Sequence, residues 1–485
     1  MFRASATRRN LREAVAALDA ADSYTAWKEA AEAHDQLTGA AEWREDGASV
    51  YYDHKLVEKD VADLRRLRLA RNGRGLVDAL TATVYRHQAD IAAHELYVTA
   101  LAGPKHLVRA WLDEVEAALR WVVSNPVVGL TPGDKGQRFK DAWQVYGRSA
   151  LMLSGGATWG FHHLGVVKAL FEDGVLPDIL SGASTGAMIA AGACTRTDAE
   201  LAQMFADTDS IRLDGLLPVS PRRALEAGAV LDPERLLEVL RHNVGEWTFA
   251  EAYQRSGRAL NISVSPTRTR QKPRVLSHLT SPDVFVSSAA LASSALPGLF
   301  PPVVLDARGP DGSRVPYVPS ERWVDGSIYG DLPKLRLARL HNVNHFIVSQ
   351  TNPHVTLFVG KQGERGVVPA VAGVATATAR TQGAYTADVA RRLTPAWSGP
   401  VRQAADRAYA LMTQDYRGDI EIHPRFRSEL LRKVVSNPSR ADLALFIREG
   451  ERATWPKLPM IEDQTRLGRV FRACAVAMRS LEAGA

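Results

Sequence analysis

The chain has 485 residues, room for roughly three structural units at the usual domain size. With 46% apolar and 24% charged residues, it is not a disordered, collagen-like or disulfide-scaffold protein. Sixty Lys plus Arg against fifty-four Asp plus Glu leaves +6, too slight an excess at this length to point to nucleic acid, though compatible with an anionic lipid surface. The two cysteines, Cys194 and Cys474, exclude a disulfide framework and fit a reducing compartment.

The opening MFRASATRRNLREAVAAL carries Arg3, Arg8, Arg9 and Arg12 but no apolar stretch ending in a small-residue cleavage site. It reads as a basic amphipathic helix and not as a secretory signal. From Asn10 to about Trp121, apolar residues recur at helical spacing, as in YTAWKEAAEAH and HLVRAWLDEVEAALRW. Within this region RRLRLARNGRG places Arg65, Arg66, Arg68, Arg71 and Arg74 together without an acid. A solvated helix face is the default reading, and contact with anionic headgroups is the second. Residues 124–136 concentrate proline and glycine, break the periodicity and mark a boundary.

Beyond Ser149 short apolar strands alternate with helical stretches: ALMLS, FHHLGVVKALFED, DILSG, TGAMIAAGACT, then strands ALNISVSP at 259–266 and NHFIVSQTN at 344–352. This alternation predicts βαβ units and a parallel sheet. The longest uncharged run, Val284 to Leu305, is interrupted by Pro297, Pro301, Pro302 and four serines, so it reads as buried protein and no transmembrane helix is expected. After about Thr356 helical spacing returns in SELLRKVV and RLGRVFRACAVAMRSLEA. Three regions are therefore predicted: a helical extension over 1–135, an α/β domain over 145–355 and a mainly helical region over 356–485.

Gly182-Ala183-Ser184-Thr185-Gly186 ends an apolar strand and opens a helix of small residues, the setting of a nucleophile elbow. Such a turn holds a serine exposed, and flanking glycines relieve its side-chain clashes. The loop Ser154-Gly155-Gly156-Ala157-Thr158-Trp159-Gly160 follows the preceding strand. Backbone N–H groups there are candidates to hold the negative oxygen of an acyl-transfer intermediate. The spacing Gly155-x-Ala157-x-x-Gly160 also approaches a dinucleotide loop, but the next strand ends in Ser184 where a ribose-binding acid is required.

These segments resemble the patatin-like lipid acyl hydrolases, in the branch that includes the eukaryotic lipid-droplet triacylglycerol lipases. LMLSGGATWGFHHLGVVKAL resembles the oxyanion segment, SGASTGAMIAA the elbow, ALASSALPGLFPP the central helix and turn, and WVDGSIYGDLP the Asp-Gly segment. Flanking stretches are similar too, so the likeness covers nearly the whole chain. It implies a three-layer α/β domain with a mainly parallel sheet between helical extensions. It also implies a Ser-Asp dyad, with Ser184 as nucleophile and Asp325 as base, Gly155, Gly156 and Ala157 as oxyanion donors, and Gly182 and Gly186 shaping the elbow. On its residues alone Asp325 reads more readily as a turn aspartate before glycine. Ala157 and Trp159 replace a glycine and a basic residue of the general patatin loop, which points to the triacylglycerol-lipase branch and weakens a phospholipid preference. Ser327 replaces the commoner Gly or Ala after Asp-Gly and is expected to matter little.

An ordinary α/β-hydrolase would carry a late catalytic histidine. His341, His345, His354 and His423 are available by order, but none has a catalytic-loop context. His163, one turn into the helix after the loop, is expected to bond nearby backbone. No grouping has metal-ligand spacing, so neither metal nor cofactor is expected. The expected activity is hydrolysis of lipid carboxylic esters, triacylglycerol first. Phospholipase A, lysophospholipase or acyl transfer through the same dyad is the alternative, and a non-catalytic lipid-surface scaffold the alternative of another class. The expected setting is cytoplasmic, with peripheral contact to membranes or lipid inclusions.

Overall fold

The computed structural model describes residues 2–84, 90–268, 271–352, 417–424 and 434–483. It divides into two compact units, one of residues 1–149, 172–175 and 454–485, the other of residues 150–171 and 176–453.

The first unit is helical: α1 (Phe2–Ala20), α2 (Tyr24–Thr38), α3 (Ala40–Glu45), α4 (His54–Leu69), α5 (Gly73–Val84), α6 (Glu95–Val98), α7 (His106–Ser124) and α8 (Pro132–Tyr146). Along α7, Val108, Trp111, Leu112, Val115, Ala118, Leu119 and Val122 are buried, a stripe at the three- and four-residue spacing of one helix face. The segment expected to be a boundary is partly helical. Thr131 and Asp134 form a capping box, and Pro132 enters at the first turn, where its missing N–H costs nothing. Two buried charges are paired with backbone: the Lys105 ammonium donates to the carbonyls of Trp43 and Asp46, both at 2.7 Å, and Asp35 accepts the N–H groups of Leu101 and Ala102. The arginine-rich stretch is largely committed here. Arg65 and Arg68 clasp buried Glu114, Arg66 meets Asp63 and Arg74 meets Asp78.

The second unit follows as β1 (Arg148–Leu153), α9 (His162–Glu172), β2 (Ile179–Gly182), α10 (Thr185–Cys194), α11 (Asp198–Ala206), α12 (Pro221–Ala227), α13 (Pro233–Val244), α14 (Phe249–Ser256), β3 (Ala259–Pro266), β4 (Arg274–Ser277), α15 (Val286–Ser293), β5 (Asp306–Arg308), β6 (Arg314–Pro316), β7 (Trp323–Asp325), α16 (Ser327–Gly330), α17 (Lys334–His341), β8 (Val343–Ser349), β9 (Ile420–Ile422) and α18 (Arg440–Thr454). A last helix, α19 (Leu458–Ala483), belongs to the first unit. The stretch expected as one C-terminal region, 356–485, thus divides between the units; residues 353–416 and 425–433, among them His354 and most of SELLRKVV, lie outside the described residues.

Seven of the nine described strands form one sheet in the order β4-β3-β2-β1-β8-β9, with β7 also on β3, and β5 pairs antiparallel with β6 in a separate ribbon. β1, β2 and β3 run parallel, as do β8 and β9, while β4 and β7 lie antiparallel to β3. Side chains alternate faces along a strand. Ala150 and Met152 join Leu337 of α17 in a core cluster, and the intervening Leu151 and Leu153 are equally buried, so both faces are covered. This is the mainly parallel, helix-covered sheet that the βα alternation predicts. The Val284–Leu305 run is α15 and a turn; α15 is buried along its whole length against β3.

Candidate active site

β2 is buried at all four positions and delivers the chain to a turn at Ala183 and Ser184. Ser184 has φ 52° and ψ −125°, outside the regions that L-residues favour. Such a conformation persists only where its surroundings enforce it. Here the Ser184 N–H donates to Ser293 Oγ at 3.0 Å, and that hydroxyl donates to the Ser263 carbonyl at 2.7 Å. The elbow glycines are a steric requirement. A Cβ on Gly182 would lie 2.3 Å from the Gly186 carbonyl oxygen, and one on Gly186 would lie 2.2 Å from that of Leu153.

Asp325 ends β7, whose antiparallel register pairs Asp325 with Val264 on β3. It is 2% exposed. Its carboxylate accepts the N–H and the hydroxyl of Ser327, each at 2.8 Å, and the Ser184 hydroxyl is near enough to favour its ionised form slightly. Burial pushes its pKa up to about 6 while these hydrogen bonds hold it down. Ser184 and Asp325, 141 positions apart in the chain, thus stand on the wall of one cavity. The sequence reading discounted Ser327, which supplies two of the donors on this carboxylate.

The glycine-rich loop lies beside them. A Cβ on Gly156 would be 2.2 Å from Thr351 Oγ1, and one on Gly155 would be 3.0 Å from Ser327 Cβ, which accounts for both glycines. Ala157 takes φ 48°, and its carbonyl accepts the Thr185 hydroxyl at 2.7 Å, tying the loop to the residue after Ser184. The three expected oxyanion donors are not equivalent. The Gly155 N–H donates to Asp331 Oδ1 at 2.8 Å, whereas the N–H groups of Gly156 and Ala157 meet no acceptor among the described residues. Asp331 was not singled out in the sequence, although it lies in the WVDGSIYGDLP segment. It is fully buried, accepts the Asn352 amide, and is held well above the usual carboxylate range by burial, with Asp325 adding to the shift. His163 bonds backbone as expected: its ring nitrogens meet the Ser154 carbonyl and Ser349 Oγ, and desolvation lowers its pKa to about 4.

Ser184, Asp325, Gly156 and Ala157 line one cavity of about 570 Å³, walled chiefly by apolar side chains such as Met188, Ile189, Met204, Leu240 and Phe300. Among the described residues the histidine that reaches it is His242, bonded to the Ser210 carbonyl. His341 is bonded to Asn261 and His423 to Glu421, and neither lines the cavity. No group of three or more His, Cys, Asp or Glu side chains suited to a metal ion occurs among the described residues. The arrangement suits acyl transfer: a serine and a buried carboxylate on one wall, two unengaged N–H groups and an apolar chamber.

Residues 151–335 match the family model described as patatin-like phospholipase, and residues 3–144 match a domain of unknown function (DUF3336). The chain is 34% identical to "Triacylglycerol lipase ptl3" of Schizosaccharomyces pombe over 92% of its own length and 93% of that protein's. It is also 34% identical to a patatin-like phospholipase domain-containing protein of Chaetomium globosum, covering 94% of this chain but 56% of the fungal one. A solved structure, VipD from Legionella pneumophila, has TM-score 0.32 and 15% identity, covers 65% of this chain and 67% of that chain, and is too distant to carry an argument. The chain belongs to the patatin-like phospholipase family. It is a lipid ester hydrolase.

Proposed function

We propose that the protein hydrolyses triacylglycerol through a Ser184–Asp325 dyad. The observation that carries this reading is that the Ser184 side chain and the buried Asp325 carboxylate stand together on the wall of one largely apolar cavity. As Ser184 Oγ attacks the ester carbonyl, its proton passes to Asp325. A carboxylate with a raised pKa is a better base for this than an exposed one. The negative oxygen of the tetrahedral intermediate is held by the N–H groups of Gly156 and Ala157, while Gly155 fixes the loop through Asp331. Collapse expels the alcohol, which takes the proton from Asp325 and leaves an ester on Ser184. Water then attacks that ester with Asp325 again as base, freeing the fatty acid and restoring the serine.

Three features support a neutral lipid over a charged one. The relative that matches at nearly full length is named as a triacylglycerol lipase. The loop carries Trp159 where a basic residue is expected for a charged headgroup. Arg212, which lines the cavity, is ion-paired with Asp214 and Glu238. The exposed Leu217, Leu225, Val230 and Leu296 support peripheral contact with a lipid surface: Leu296 lines the cavity, and the Val230 N–H bonds the nearby Gly298 carbonyl. Among the described residues no helix is long and apolar enough to cross a membrane.

The test is fatty-acid release from emulsified triacylglycerol by wild type, Ser184→Ala and Asp325→Asn, beside phosphatidylcholine vesicles. Release from triacylglycerol that drops by about a thousandfold or more in both folded variants is expected. Release from vesicles alone makes the protein a phospholipase, and acyl transfer to added glycerol or lysolipid makes it an acyltransferase.

A further inference from the structure

Resting on the acyl-hydrolase reading above, the helix that carries Ser184 has a feature that the reaction itself does not require. From Ser184 to Arg196 the residues that are not fully buried are Ser184, Met188, Gly192 and Arg196, one every fourth position. All four line the cavity. Residues four apart share a helix face, and at about 1.5 Å per residue Gly192 lies about 12 Å along the axis from Ser184. The cavity thus follows α10 away from the nucleophile.

At its third step the stripe has no side chain. A Cβ on Gly192 would meet only Arg196 Nη1, at 3.6 Å, so the space beside it is open. Backbone conformation does not demand glycine here, since Gly192 is not among the residues of positive φ. Glycine inside a helix is less stable than alanine, so its use at this position requires another reason. Past it the Arg196 side chain folds back, donating to the Gly192 carbonyl at 2.8 Å and to the Asn243 carbonyl at 2.7 Å, which joins the end of α10 to the end of α13. Both bonds hold the guanidinium across the cavity wall at the level of Gly192. The cavity is also lined by Leu236, Val239 and Leu240 of α13 and by Leu164 of α9.

We propose that this stripe is the acyl-chain site and that Gly192, with Arg196 behind it, determines chain length. An acyl group on Ser184 lies along Met188, a long chain must pass through the space that Gly192 leaves open, and a short chain ends before it. The ligand is a long, unbranched hydrocarbon chain, because the walls along the stripe are aliphatic and the polar atoms at its far end are engaged with carbonyls.

The test is the ratio of kcat/KM for p-nitrophenyl palmitate to that for p-nitrophenyl butyrate in wild type, Gly192→Ala, Gly192→Leu and Gly192→Phe, with melting temperatures measured alongside. The ratio is expected to change little in the alanine variant and to fall by at least about tenfold in the leucine and phenylalanine variants, as for a pocket that loses the space for several methylenes. Leucine serves if phenylalanine prevents folding. A ratio that stays constant through the folded series overturns the proposal. Should the wild type cleave no ester, titration calorimetry of palmitate against the Ser184→Ala and Ser184→Ala/Gly192→Phe proteins separates the two ideas. Palmitate binding that the second substitution abolishes keeps the chain site and removes the hydrolase reading, whereas equal binding or none overturns the chain site too.

Discussion

Asp325 gives up nearly all of its hydration in the fold, and the charged form bears that cost. With its pKa at about 6, the carboxyl is protonated at pH 5 and unable to accept the Ser184 proton. Hydrolysis measured from pH 4 to 8 is expected to rise about tenfold per unit up to an apparent pKa near 6 and then level off. Ser327→Ala removes a hydroxyl that favours the ionised form, so the limb is expected to move to higher pH while the fold persists. Stability runs in the opposite direction. The folded pKa lies above the ordinary 3.8, so the stabilising contribution of the protonated carboxyl is complete below that value and is lost as pH rises through about 6. The difference corresponds to about 3 kcal/mol. Asp325→Asn has no charge to bury, and denaturant titrations at pH 4 and pH 7 are expected to show the inactive variant gaining on wild type at the higher pH.

At the scale of elements, the elbow and the loop are set by backbone approach. Because the neighbours of Gly182 and Gly186 are backbone atoms of α10, of β1 and of the loop after β1, neither can yield to a side chain. Gly186→Ala is expected to cost about 1–3 kcal/mol in urea titration and to abolish fatty-acid release. A similar close approach joins α9 to α18, where a Cβ on Gly165 would lie 1.9 Å from the Ile447 carbonyl oxygen. The loop depends on Asp331 as well. Asp331→Ala leaves the Gly155 N–H buried without its acceptor, and is expected to cost about 1–3 kcal/mol and to lower kcat more than it changes KM. A carboxylate that only filled space would leave kcat untouched.

For the molecule as a whole, the arginine-rich stretch has a structural use. Arg65 and Arg68 neutralise Glu114, a carboxylate 4% exposed, and removing both strands a buried charge. Arg65→Ala/Arg68→Ala is therefore expected to lower the melting temperature by several degrees. Sedimentation with phosphatidylserine vesicles is expected to show binding by the folded variant close to that of wild type.

What was legible in the sequence is local. The period of apolar residues identified the N-terminal helices, alternation identified the βα units, and Gly182-x-Ser184-x-Gly186 after an apolar strand marked the elbow, because each pattern reflects physics acting over a few residues. The expectation that Ser184 works with Asp325 came only through resemblance, since no local pattern records that β7 returns antiparallel to β3 and that its last residue lines the same cavity as Ser184. The roles of Ser327, Asp331 and Ser293 depend on atoms meeting across strands and helices distant in the chain. The same holds for the bond from the Gly155 N–H to Asp331 and for the division of the C-terminal stretch between two units. Propensity and periodicity are properties of segments and were settled by the sequence itself. Hydrogen-bond partners, carboxylate desolvation and the course of the cavity along α10 depend on which segments are brought together, and only the tertiary structure decided those.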